Sequence, residues 1–183
     1  MLKRVFDIIA SLMGLILLSP VILITAILVR TKLGSPIFFT QDRVGKDNKI
    51  FKMIKFRTMS DERDEYGELL SDEYRLTSFG KFLRSTSIDE LPELINVLKG
   101  DMSLVGPRPS LPSEVEQYTK YDRQRLYVTP GCTGLWQATE RSNVGFSEMV
   151  KLDLEYIQRA SLSFDLWIIW KTIEIIFKPN SSY

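Results

Sequence analysis

Hydrophobic patterning divides the chain into stretches of different character. From Ile8 to Val29 there is no charged residue, and the run is bordered by Lys3 and Arg4 on one side and by Arg30 and Lys32 on the other. As one straight helix it would be about 33 Å long, close to the roughly 30 Å of a bilayer's hydrocarbon core. A single span is the plain reading, and two features oppose it. Basic residues flank both ends, whereas the positive-inside rule gathers them on one face. Ser19-Pro20 falls near the middle, and proline both withholds a backbone donor and disfavours helical geometry in the residue before it. A helix broken there would give two arms of about 15 to 18 Å, enough to enter one leaflet and return. Proline kinks also occur in spanning helices, so the residues alone leave both readings open. Asp7 needs a partner at the edge of the apolar zone, and Arg4, one helical turn earlier, is the nearest candidate. No small-x-small site follows the run, so it is expected to stay in the mature protein.

Beyond residue 30 the pattern shortens. Ser35 to Gln41 and Lys49 to Arg57 are rich in aromatic and β-branched residues, and with Val44 to Asn48 between them they predict a β-hairpin. Lys46, Lys49, Lys52, Lys55 and Arg57 make it basic, as suits either a solvated strand face or a surface that meets anions. Ser60 to Glu73 turns acidic and predicts an exposed helix or loop with no chemistry assigned. Helical spacing marks Thr77 to Arg84, Ile88 to Lys99, Ser113 to Arg125 and Phe146 to Arg159, with Gly100 as a stop and Ser113 with Glu116 as a capping box. Leu162 to Phe177 sets Trp167, Trp170 and Phe177 among isoleucines and scattered charges. It is too short and charged to span, and fits an interfacial helix or ordinary core packing. The fold class expected is mainly α with a small β-hairpin, an α+β arrangement in one domain.

Composition narrows the chemistry. The chain has 183 residues, room for one sizeable core. A formal net charge of +1 argues against a general nucleic-acid binder. Cys132 is the only cysteine, which excludes an intramolecular disulfide and disfavours a cysteine-based zinc site. There is no histidine, so the usual general base and every Ser-His or Cys-His pairing are missing. Any catalyst here works with carboxylates, cations or a metal.

Asp89 and Glu90 are the sharpest candidates. One reading is structural, because Ser87-Ile-Asp-Glu90 matches a capping box and acids complement a helix start. Pro92 opposes it, since it would fall inside the helix that Ser87 would cap. Irregular backbone there would leave N–H groups for an anion, and adjacent carboxylates suit Mg²⁺ held jointly with substrate phosphates. Arg108, stiffened between Pro107 and Pro109, can grip phosphate in a bidentate way, or be a solvated turn residue. Arg84 and Arg141 are further candidate cations, and Pro130 to Gln137 is a glycine-containing turn able to approach a ligand. A carboxylate already ionised near neutral pH is the natural nucleophile toward phosphorus and needs no base.

Together Lys3-Arg-x-x-Asp7, the apolar run with Ser19-Pro20, Lys55-Phe-Arg-Thr-Met59, Arg84-Ser-Thr-Ser-Ile-Asp-Glu-Leu-Pro92, Asn96 through Pro109 and Pro130-Gly-x-Thr-Gly134 resemble the bacterial monotopic phosphoglycosyl transferases, or bacterial sugar transferases. The likeness runs almost end to end and is to the small members that consist of the catalytic domain alone, including those that start protein-glycosylation glycans. It implies transfer of a sugar 1-phosphate from a UDP-sugar to undecaprenyl phosphate, giving undecaprenyl-diphosphate-sugar and UMP, as the first membrane step of glycoconjugate or polysaccharide synthesis. It implies that Asp89 forms a covalent phosphosugar intermediate and that Glu90, with Asp89, holds Mg²⁺. Arg84 and Arg108 become phosphate or nucleotide contacts, and Lys55, Arg57 and Arg141 lesser ones. The resemblance makes residues 1–32 a re-entrant helix-break-helix and 33–183 a membrane-associated catalytic part. It places the protein in the bacterial inner membrane with its active site toward the cytoplasm, within reach of later glycosyltransferases. One departure stands out: Glu140 occupies a position where many members have glycine. Two other readings use the same residues, a non-catalytic membrane scaffold for glycosyltransferases and a Mg²⁺-dependent UDP-sugar pyrophosphatase.

Overall fold

The computed structural model describes residues 2–139 and 144–177. Glu140, Arg141 and Lys178 lie outside them. Two helices, α1 (Leu2–Leu17) and α2 (Ser19–Lys32), open the chain and meet at a bend of 62°. The bend has a local cause. Pro20 has no N–H to give the Ile16 carbonyl, and the Ser19 hydroxyl donates to that oxygen instead, at 2.7 Å. Among the described residues no single helix is long and apolar enough to cross a membrane, although the bent pair passes that test together. Ile9, Leu12, Ile16, Leu17, Leu23 and Ile24 are each at least half exposed.

The hairpin forms as expected, β1 (Phe38–Val44) antiparallel to β2 (Ile50–Phe56), from Phe38 opposite Phe56 to Val44 opposite Ile50. The acidic stretch is mostly irregular and exposed, closing on a short α3 (Asp72–Arg75). Thr77 caps α4 (Ser78–Ser85), its hydroxyl accepting from the Gly80 N–H at 3.0 Å. The helix expected over 88–99 is divided: a 3₁₀ turn covers Ile88–Glu90, and α5 (Glu93–Lys99) starts only after Pro92, ending at Gly100 with φ +95°.

Then comes a sheet that the residue pattern did not announce. β3 (Ser103–Val105) pairs in parallel with β4 (Gly131–Thr133). This corrects the reading of Pro130 to Gln137 as a turn. A Cβ on Gly131 would stand 2.1 Å from the Gly106 nitrogen, so these glycines let one backbone press against the other. Between the strands, the single helix expected over 113–125 is also corrected. It is α6 (Pro112–Glu116) and, separately, a 3₁₀ turn at Asp122–Tyr127. The interruption comes from Thr119, whose N–H and hydroxyl both donate to Asp122 Oδ2, at 2.9 and 2.7 Å, in place of helical bonding. The capping box of Ser113 and Glu116 is replaced by one bond two residues earlier, Leu111 N–H to the Glu114 carboxylate at 2.8 Å, because Pro112 takes the first helical position.

α7 (Leu135–Thr139), α8 (Phe146–Arg159) and α9 (Leu162–Phe177) complete the chain. Val105, Leu135, Ala138, Tyr156 and Ile168 form one buried cluster; Val29, Phe56 and Leu83 form another, seating the end of α2 on the hairpin and α4. The helix pair is fastened to this body by polar contacts. The Asp7 carboxylate accepts from the Ser103 hydroxyl at 2.9 Å and the Leu104 N–H at 3.1 Å. Arg4, the partner expected for it, instead donates to the Val97 and Leu98 carbonyls at 2.5 and 2.9 Å, satisfying the open C-terminal end of α5. Lys3 reaches Asp165 at 2.6 Å, and the Tyr156 hydroxyl donates to the same carboxylate at 2.8 Å.

Candidate active site

Ser87 decides the local geometry. It adopts φ +56°, in the left-handed region, and makes no side-chain capping bond, so the capping box with Glu90 does not form. The following 3₁₀ turn points Asp89 and Glu90 into a cleft of about 660 Å³. Lys55, Arg57, Arg84 and Arg108 line the same cleft, so every expected catalytic or phosphate-contacting residue within the described part of the chain converges there, whereas Ser19 and Pro20 stand apart at the helix bend. Arg141 lies outside it.

The two neighbouring acids are in opposite electrostatic situations. Glu90 Oε1 receives Lys55 Nζ at 2.5 Å and Arg108 Nη2 at 3.4 Å. Burial pushes its carboxyl up, but Arg108 and Lys55 outweigh that and hold it below the ordinary value. Asp89 is 7% exposed, and among the described residues no cation comes within ion-pairing distance of it. Burial, then the Glu90 charge, pushes its carboxyl up to about 6. At neutral pH Asp89 is still ionised and desolvated, with Lys55 and Arg84 acting on it only across the cleft and its own backbone N–H as a donor, the condition of an available nucleophile.

The cations differ in freedom. Arg57 is taken up by structure, donating to the Met59 and Ser35 carbonyls at 2.8 Å each and pairing with Asp61 at 2.6 Å. Arg84 bonds the Thr58 hydroxyl through Nε at 3.1 Å, and no described residue takes its terminal N–H groups. The Pro107-Arg108-Pro109 segment is held from both sides: Arg43 Nη1 donates to the Pro109 carbonyl at 3.0 Å and Arg125 Nη2 to that of Arg108 at 3.3 Å. Arg125 is itself buried against Asp153 at 2.5 Å.

Two residues that the sequence reading passed over belong here. Glu93, on the first turn of α5, shares Lys55 with Glu90 at 3.2 Å, and burial followed by the Glu90 charge pushes it up to about 7. Its spacing of three from Glu90 was the available signal. Arg43 lines the cleft from β1, held below its ordinary value by burial and by Arg108 beside it. Strand alternation puts Arg43 and Gln41 on one face, and Arg43 Nη2 donates to Gln41 at 2.7 Å. The reading of the hairpin had weighed its lysines and Arg57 but not this arginine. A desolvated carboxylate facing a group of cations suits chemistry on a phosphorylated substrate.

Comparison with known proteins agrees with that chemistry. EpsL of Bacillus subtilis (strain 168), described as a sugar transferase, is 48% identical over 172 residues, covering 94% of this chain and 85% of its own length. The undecaprenyl-phosphate galactose phosphotransferase of Salmonella typhimurium (strain LT2) is 38% identical over 199 residues, all of this chain and 42% of its own length. The UDP-glucose:undecaprenyl-phosphate glucose-1-phosphate transferase of Klebsiella pneumoniae is 41% identical over 191 residues, 99% of this chain and 41% of its own. The chain thus spans less than half the length of these last two. The sequence profile of the bacterial sugar transferases matches residues 1–179, and on that match and these identities the chain belongs to the bacterial sugar transferase family.

Proposed function

We propose that the chain is a phosphoglycosyl transferase that moves a sugar 1-phosphate from a UDP-sugar to undecaprenyl phosphate and releases UMP, opening assembly of a bacterial polysaccharide or other glycoconjugate. The observation that carries this reading is the buried Asp89, without an ion-pair partner among the described residues, beside a Glu90 clamped by two cations. The Asp89 carboxylate attacks the sugar-bearing phosphorus, its new P–O bond replacing the one to UMP, which leaves with the bonding pair. An oxygen of the lipid phosphate then attacks the same phosphorus, and the bond to Asp89 breaks, restoring the carboxylate. Both nucleophiles are already ionised, so neither step needs a base, consistent with a chain that lacks histidine. Arg84 and Arg108 neutralise the phosphoryl oxygens, and Lys55 holds Glu90 in place.

Mg²⁺ fits the donor set. Asp89 and Glu90 offer hard oxygen ligands, and Glu90 Oε2 carries neither of the bonds from Lys55 and Arg108. The described residues hold no group of three or more metal-ligating side chains, so substrate phosphates would have to complete the coordination. When bound, the ion would supply charge neutralisation on the transferred phosphoryl group.

The helix pair supports a membrane-embedded, re-entrant placement. Arms of about 24 and 21 Å at a bend of 62° put the apex about 12 Å from the line joining the two charged ends, less than the roughly 15 Å of one leaflet. Lys3, Arg4, Arg30 and Lys32 then lie at the cytoplasmic headgroups of the inner membrane. Pro20→Ala restores the missing N–H and is expected to favour a spanning helix. Accessibility labelling that still found the N-terminus on the cytoplasmic side in that variant would count against this account.

The reaction is tested by UMP release from purified protein with undecaprenyl phosphate, Mg²⁺ and a panel of UDP-sugars. Release that requires the lipid and Asp89 supports the transfer. Lipid-independent release would point to hydrolysis, and no release from folded, membrane-embedded protein would remove the enzymatic reading.

A further inference from the structure

Beside the Asp89 cleft lies a second cavity of about 530 Å³, within the size range of small-ligand clefts. Arg43 and Arg108 line both, so they form the partition between the two. The second cavity differs from the first in what surrounds it. Its walls carry the Tyr118 and Phe146 rings, 5.4 Å apart, and the Trp136 indole. Ser113 and Gln117 stand at its polar edge. Its lining comes from β1, α6, α7, α8 and the segments between them, with no residue of α1 or α2. The Asp89 cleft is rimmed by Pro36, Phe38 and Phe39, which follow directly on α2.

The lining also holds Glu114 and a third arginine, Arg125, which is committed to Asp153; the aromatic walls, an amide at the edge and the guanidiniums of Arg43 and Arg108 at one end match a nucleoside 5′-phosphate. The base has a flat π-face for the rings and an edge of donors and acceptors for an amide such as Gln117. The phosphate answers the partition, where Arg43 and Arg108 both face the cavity; Glu114, also in the lining, carries the opposite charge to Arg43, and donor binding would set phosphate oxygens against the two guanidiniums beside it. Resting on the transfer reading above, we infer that this cavity is the nucleoside subsite, taking the uridine of the donor against Tyr118, Trp136 and Phe146, with Arg43 as a phosphate-binding residue at its mouth. The donor therefore lies across the partition, uridine on one side and the sugar-bearing phosphate over Asp89 on the other. The lipid phosphate enters the Asp89 cleft from the opposite side, past Phe38 and Phe39. Donor and acceptor approach from different directions.

The experiment is titration of UMP into the full chain in detergent micelles by calorimetry, without lipid and therefore without turnover. Phe146→Ala removes one aromatic wall at a position that is 47% exposed, and Ser113→Tyr blocks the cavity from an exposed position, so neither disturbs the core. Each is expected to weaken UMP binding about tenfold. In the lipid-dependent assay each is expected to raise KM for the UDP-sugar in parallel, while KM for undecaprenyl phosphate stays within about twofold. UMP affinity unchanged in both variants, absence of UMP binding by the unaltered chain, or a rise in the lipid KM alone would overturn the assignment. If UMP binds and both variants weaken it, yet the unaltered chain shows no lipid-dependent release, the transfer reading fails and the subsite stands.

Discussion

Two regions of this molecule bury carboxylates to a similar degree and use them in opposite ways. At the seam between the helix pair and the body, Asp7 is 3% exposed and Asp165 1%, and each is met by donors: Ser103 and Leu104 for Asp7, Lys3 and Tyr156 for Asp165. At the cleft, Asp89 is 7% exposed and no cation among the described residues pairs with it. A buried charge met by partners from distant elements holds those elements together, whereas one left without an ion pair is a cost to the fold that the proposed chemistry would explain. Burial alone does not distinguish a fastening from the proposed nucleophile; partnership does.

The largest expected effect tests that contrast at its centre. Asp89→Asn should cut lipid-dependent UMP release by about three orders of magnitude or more, since it removes the attacking oxygen. The same change should raise unfolding free energy at pH 7, in metal-free buffer, by on the order of 2–3 kcal/mol, because the folded state no longer desolvates an unpaired charge. A stability loss on denaturant titration would show that Asp89 has partners the cleft does not reveal. At the seam the sign reverses. Asp7→Ala leaves the Ser103 hydroxyl and Leu104 N–H without an acceptor and should lower stability by about 2 kcal/mol. An Asp7→Ala protein as stable as the original would erase the distinction.

The pH dependence comes next. Without metal the Asp89 carboxyl is pushed up to about 6; Mg²⁺ on the same carboxylate would favour its charged form, so the acid limb of kcat/KM should lie below that value and move further down as Mg²⁺ is raised. The stability consequence has the opposite direction. Between the ordinary carboxylate value near 4 and about 6 the folded state binds more protons than the unfolded one, so this group makes stability fall as pH rises through that window. Asp89→Asn should abolish that component, which thermal melts across the window would reveal. The smallest expected effect is at the bend. Ser19→Ala leaves the Ile16 carbonyl without its 2.7 Å donor and should cost about 1 kcal/mol, seen as a slightly lower Tm.

What could be read from the residues depended on whether the decisive neighbour was close in sequence. Pro92 lies near enough to Ser87 and Glu90 to contradict a cap, and the left-handed Ser87 bears that contradiction out. The same holds for the break at Ser19-Pro20, although what opposes a straight helix was legible and the serine's hydrogen bond was not. Distance in the chain hid the rest. The partner of Asp7 is nearly a hundred residues away, and Arg4 was chosen for nearness when it had the end of α5 to satisfy. β3 and β4 are three residues each, too short for alternation to show, and their parallel pairing spans the whole α6 region. Arg43 was obscured by the lysines around it, because strand alternation gives a face and not the Pro109 carbonyl across from it.

The bond from Asp7 to the Ser103–Leu104 step has a consequence for scale. β3 ends at Val105, and Gly106-Pro107-Arg108 follows at once, with the Gly106 backbone pressed on that of Gly131. With the helix pair immersed as proposed, the depth of α1 and the height of the Arg108 guanidinium are two marks on one short, stiff rod. The enzyme then needs no sensor to find a lipid phosphate, because that headgroup stands at a fixed level above the acyl chains. A sugar-nucleotide reaches its cavity from free solution at any height, but its partner is met at one altitude only.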